Sequence, residues 1–168
     1  MSMFNNPLIA LIARAYDLLV FVGNHLQSPL LLLIRLTWGI QLMQAGFGKL
    51  THIEKPIEYF TSLGIPFPVE NAWLVGFTET FGGLFLALGL LSRLTAIPLI
   101  INFIVAYITT EQDSLHKLLS LDTDDFFAAA PFLFLFAAII VLAFGPGAYS
   151  VDYLIARWRA GEWKSSGM

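Results

Sequence analysis

Cysteine is absent from the 168-residue chain. That absence excludes disulfides, thiol catalysis, thiolate metal sites and cysteine-ligated iron–sulfur clusters. It leaves the redox compartment unread, because there is no thiol to oxidise. Charge is also scarce. Charged residues make up 12% of the chain and hydrophobic residues 57%, where ordinary globular proteins carry about 25% charge. A soluble fold of this length could not hide so much apolar surface, so lipid is the natural solvent. Nine Lys and Arg in all speak against a nucleic-acid partner, and a net charge of −3 says little about others. The three histidines, His25, His52 and His116, are far apart; neither an imidazole cluster nor haem ligation by a histidine pair is indicated. A secretory signal is missing too. The first apolar stretch carries Arg14 and Asp17 and lacks a small-residue cleavage site, so the chain is expected to insert through its own spans.

What is present is a set of long apolar runs. A helical span needs about 20 mostly apolar residues, and four segments qualify: 29–50, 71–91, 93–110 and 126–144. Leu91-Ser92-Arg93 joins the second to the third as a tight hairpin. Two longer connections remain. The segment 51–70 is broken by Gly64, Pro66 and Pro68, and 111–125 is polar. The predicted fold class is all-α: a polytopic membrane four-helix bundle with an N-terminal amphipathic interfacial helix. At about 100° per residue, Arg14, Asp17, Asn24 and His25 share one arc of segment 7–27. That segment reads as a helix lying in the interface, ended by Asn24-His25 and Ser28-Pro29. The expected organisation is an interfacial helix over 1–28, a four-span bundle over 29–155 and a cytoplasmic tail over 156–168.

Orientation follows the basic residues near span ends. One side holds Arg14, Arg35, Arg93, Arg157, Arg159 and Lys164; the other holds Lys49, Lys55 and Lys117. That asymmetry puts both termini in the cytoplasm, with the long loops on the periplasmic or outer side. Trp73, Trp158 and Trp163 sit near predicted boundaries and read as interface anchors. In the outer loop, Asp122-x-Asp124 begins like a calcium loop, but the glycine and the closing glutamate that such a loop needs are missing. Thr123, Asp124 and Asp125 instead stand where the fourth span needs an N-cap, and no metal site is expected.

The polar residues inside the spans define the candidate site. Arg35, Trp38, Leu42, Ala45 and Lys49 share one face of the first span, with Gln41, Gln44 and Gly48 on the neighbouring arc. Glu79 shares an arc of the second span with Ala72, Gly76 and Gly83, small residues that let a neighbouring helix come close. Glu79 lies roughly 12 Å below the outer end at about 1.5 Å per residue. An unpaired carboxylate there is costly. It either pairs with Lys49, with Gln44 as a hydrogen-bond partner, or stays protonated. The pair reads either as a polar clamp without chemistry or as a binding or proton-handling site. Arg35 and Arg93 near the cytoplasmic ends read as snorkelling side chains or as an anionic pocket. Asn102, in the third span with Pro98, reads as interhelical glue.

These pieces resemble the DoxX family of small four-helix membrane proteins. The matching residues run through nearly all of 30–155: Arg35 with Trp38-Gly39; Gly46-Phe47-Gly48-Lys49-Leu50; Leu63-Gly64-Ile65-Pro66; Glu79-x-x-Gly82-Gly83; Gly89-Leu90-x-Ser92-Arg93; and Phe144-Gly145-Pro146-Gly147 with Ser150-x-Asp152. The resemblance implies an inner-membrane protein of a redox or oxidative-stress system, linked to thiosulfate:quinone oxidation. Trp38-Gly39-x-Gln41 and Ala130-Pro131-Phe132-x-Phe134-Leu135 are also similar to the branch associated with multinuclear iron oxidases and metal-stress peptides. It further implies that Arg35, Lys49, Glu79 and Arg93 are the shared polar set.

Three functions follow as expectations. The first is an accessory subunit of a redox complex, with a membrane or soluble redox partner and quinone bound among the helices. Aliphatic and aromatic walls with a few convergent polar groups suit such a head group. The second is a non-enzymatic membrane anchor or assembly factor. The third is a small metal or solute carrier, whose acidic outer loops would concentrate cations. Four short spans make a narrow pore unless the chain forms a homo-oligomer.

Overall fold

The computed structural model describes the backbone of residues 7–119 and 121–165 and the side chains of residues 8–118 and 121–161. All regular elements among the described residues are α-helices: α1 (Pro7–Thr51), α2 (Glu54–Ser62), α3 (Pro68–Leu88), α4 (Ser92–Thr110), α5 (Gln112–Leu119), α6 (Asp124–Ala128), α7 (Pro131–Phe144) and α8 (Val151–Ser165). Trp163 and Lys164, expected as anchor and orienting charge, lie outside the described side chains.

The C-terminal half of α1 packs along α3, α3 along α4, α4 along α7, and α7 returns to α1. Leu42, Leu86, Leu99, Phe103, Ala138 and Val141 form the common core. The apolar runs therefore meet one another over one stripe and expose the rest. Ile97, Ile101, Ile104 and Ile108 of α4 all face outward, as lipid contact requires. Among the described residues two helices, α1 and α4, are long and apolar enough to cross a membrane; α7 is apolar but has 14 residues.

The N-terminal segment departs from expectation. It does not end at Asn24-His25 or Ser28-Pro29; α1 runs unbroken through Pro29 for 45 residues, about 67 Å at about 1.5 Å per residue. Proline deprives the helix of one N–H and crowds the carbonyl four residues back. A full break would strand several backbone groups in an apolar setting, which costs more. Residues 8–27 are exposed on every side.

The other boundaries have local causes. Pro68 opens α3 behind Phe67, which adopts a left-handed φ of 51°. Gly89, with φ +68°, closes it. The fourth predicted run is not one helix: Ala129 is extended (ψ 140°), and Pro131 starts α7 afresh after the short α6, because proline has no donor to continue the earlier ladder. Thr123 stands at the N-cap of α6 but makes no side-chain cap bond. Asp125 pairs instead with exposed Lys117 of α5. Gly145 terminates α7. Both long connections hold short helices, α2 beside the breakers of 51–70 and α5 within the polar 111–125.

Candidate functional site

The site begins with a close helix crossing. A Cβ on Gly46 of α1 would lie 2.4 Å from the Thr80 amide nitrogen, and one on Gly83 of α3 would lie 2.4 Å from that of Met43. Only glycine lets the two backbones meet at this spacing. Beside the seam, Glu79 is 5% exposed. Lys49 closes on it from α1, its Nζ donating to Oε1 at 2.6 Å and to Oε2 at 2.5 Å. Asn102 of α4 donates through Nδ2 to Oε1 at 3.3 Å. Three helices thus converge on one carboxylate, and the ammonium supplies the countercharge that a sheltered anion needs.

This polar trio lines a cavity of about 900 Å³. Leu42, Val75, Phe103, Ala106 and Phe134 make apolar walls. Lys55, Tyr59 and Phe60 of α2 and the 63–66 loop line it toward the end where α1 stops and α3 begins. The Asn71 amide ties that loop down by donating to the Pro66 carbonyl at 2.7 Å. Thr109 and Thr110 also face the cavity, but their hydroxyls are spent on backbone carbonyls of their own helix. The groups able to engage a guest at depth are Lys49, Glu79 and Asn102.

The remaining predicted residues lie elsewhere. Gln44 and Gln41 are exposed on α1, outside the trio, and Asn102 holds the place expected of Gln44. Gln44 projects about 100° round α1 from its cavity-lining neighbour Ala45, so nearness in depth did not bring it round to Glu79. Arg93 is exposed at the start of α4, its Nη2 within 3.5 Å of the Ala143 carbonyl. Among the described residues no cluster of ligating side chains can hold a metal ion.

Arg35 does not snorkel. It is fully buried at the opposite end of the packed helices, its Nη2 donating to the Tyr149 carbonyl at 2.5 Å. A Cβ on Gly89 would lie 1.8 Å from its Nη1, so the guanidinium rests on a bare glycine. Asp152 completes this corner by accepting the amide hydrogens of Leu91 at 2.7 Å and Ser92 at 2.8 Å. Those are orphan donors at the start of α4. The corner ties the 145–152 segment to α1, α3 and α4; it is a structural lock remote from the cavity.

The DoxX family profile matches residues 30–112, the stretch that carries the glycine seam, Lys49, Glu79 and Asn102. The chain belongs to the DoxX family. It is also 29% identical over 135 residues to an uncharacterized membrane protein of Mycobacterium tuberculosis, an alignment covering 77% of this chain and 83% of that relative. No solved structure matches the chain. This DoxX protein is therefore a membrane protein whose helices enclose a mixed polar and apolar cavity. The predicted spans do not include α2, which walls that cavity. The available signal was the clustering of Tyr59, Phe60 and Leu63 behind Glu54 and Glu58, an amphipathic turn hidden between breakers.

Proposed function

We propose that this DoxX protein is a multi-pass inner-membrane accessory subunit of a redox system and binds a quinone-like head group over Lys49, Glu79 and Asn102. The observation that carries the reading is the placement of one sheltered ion pair and one amide at depth in a cavity of about 900 Å³ with apolar walls. A ring carbonyl accepts hydrogen bonds from the Lys49 ammonium or the Asn102 amide, and the walls take the ring faces. Glu79 is positioned to exchange a proton with a bound hydroquinone hydroxyl. Four spans built from the second half of α1, α3, α4 and α6–α7, with both termini cytoplasmic, agree with the distribution of Lys and Arg.

The test is titration of the purified protein in nanodiscs with decylubiquinone, together with extraction of co-purifying quinone. Saturable binding that Lys49→Met and Asn102→Ala weaken supports the reading. Absence of both bound quinone and titratable binding refutes it.

A second reading is favoured by one feature: the Lys49–Glu79–Asn102 contacts join three helices. On that reading the protein is a non-enzymatic anchor or assembly factor and the trio only rigidifies the fold. A Glu79→Gln protein that still supports its cellular role and retains a co-purifying partner favours this alternative.

A further inference from the structure

The cavity wall and the lipid-facing surface share a residue. Val105 lines the cavity, yet it is 50% exposed and continues the outward stripe of Ile101, Ile104 and Ile108 on α4. It lies five residues before the end of that helix, about 7.5 Å inside at about 1.5 Å per residue. Tyr59 and Leu63, also cavity-lining and exposed, bring apolar surface to the rim from α2. The end beyond α1 and α4 has a different character: α2 and the 63–66 loop lie there, stapled by Asn71 to Pro66 and by the Ile65 amide to the Phe60 carbonyl at 3.0 Å. Charge at depth is balanced, since one ammonium meets one carboxylate. A net anionic or cationic head would leave an unmatched charge in a low-dielectric site.

Resting on the ligand-binding reading above, we infer that the cavity is a lateral slot. It admits a neutral amphiphile dissolved in the bilayer, head toward Lys49 and Asn102, with its tail leaving past Val105 into lipid. A guest of this kind keeps its tail solvated by hydrocarbon at every stage and never has to cross the α2 cover.

The test compares Val105→Trp with Ile101→Trp, one turn away on the same stripe and outside the cavity lining. Two probes are titrated in nanodiscs: tail-bearing decylubiquinone and tail-less duroquinone, which the cavity holds entire. Tryptophan at 105 is expected to weaken decylubiquinone at least about tenfold, a clear change on the affinity scale, and to leave duroquinone within about twofold. Tryptophan at 101 leaves both unchanged. Unchanged decylubiquinone affinity in Val105→Trp, or equal loss of both probes, overturns lateral entry while the ligand reading stands. A wild-type protein that binds neither probe overturns both.

Discussion

Lys49 reaches across from α1 and holds both carboxylate oxygens of Glu79 on α3, at 2.6 and 2.5 Å. The acid is almost enclosed, while the lysine side chain is 36% exposed. The pair therefore has one sheltered end and one partly open end, and both line the cavity.

Removing one partner of such a pair leaves the other charge uncompensated, at about 3–5 kcal/mol when both are buried and less with Lys49 partly open. Lys49→Met is expected to destabilise by about 2–4 kcal/mol. Adding Glu79→Gln to it should restore much of the loss, because a neutral amide no longer needs a countercharge. Thermal unfolding of the two single variants and the double variant in detergent checks this; additive losses would contradict it.

The glycine seam sets a second expectation. Gly46→Ala drives a methyl group into the backbone of α3, where no side chain can swing aside. Overpacking of this kind costs about 1–3 kcal/mol or more. The helices should separate, and the Lys49–Glu79 contact should lengthen with them. A double electron–electron resonance distance between spin labels on exposed positions of α1 and α3 reports the separation.

Leu91 adopts a left-handed φ of 46°, a strained state for a branched side chain. Leu91→Gly is expected to be neutral or to stabilise by up to about 1 kcal/mol. Asp152→Ala, which frees two amide donors at the start of α4, should destabilise by about 1–3 kcal/mol. Chemical unfolding midpoints of the two variants should move in opposite directions or, at the least, differ by that margin.

At the polar end, hydrogen bonding to Asp125 raises the Lys117 pKa above its ordinary value, aided by the charges of Asp125, Asp122 and Asp113. A raised pKa in the folded state means that the contact's contribution is complete below the ordinary lysine range and is lost as pH rises through the raised value. Because Lys117 is exposed, the effect on global stability is small. The expected readout is local: amide exchange in α5 and α6 should accelerate relative to the core helices only in strongly alkaline buffer, and Lys117→Gln should abolish the difference.

Much of this protein was legible in one dimension. Apolar runs of span length, the shortage of charge and the Leu91–Arg93 turn announce a helical membrane protein, because lipid leaves the backbone few other solutions. Gly76 and Gly83 flanking Glu79 announced a close neighbour on that face, since small residues at helical spacing have one packing use. The cost of an unpaired carboxylate left two outcomes open, pairing with Lys49 or protonation, and the folded chain places Lys49 on Glu79. Pro29, by contrast, misled: a proline rule describes a local penalty, while continuity of α1 reflects the larger cost of unsatisfied backbone in an apolar medium. Arg35 misled too. Its length allowed snorkelling, but the folded chain brings Gly89, Tyr149 and Asp152 around it from segments that are distant in sequence.

From the sequence alone came the solvent, the long apolar helical runs and the acid at position 79 that had to avoid lipid, because each is decided by composition and period within a single segment. The tertiary structure alone decided that Asn102 and not Gln44 completes the trio, that Arg35 locks a corner, and that α2 walls a cavity. Those outcomes depend on how separate helices are rotated and spaced against one another, and no single helix carries that information.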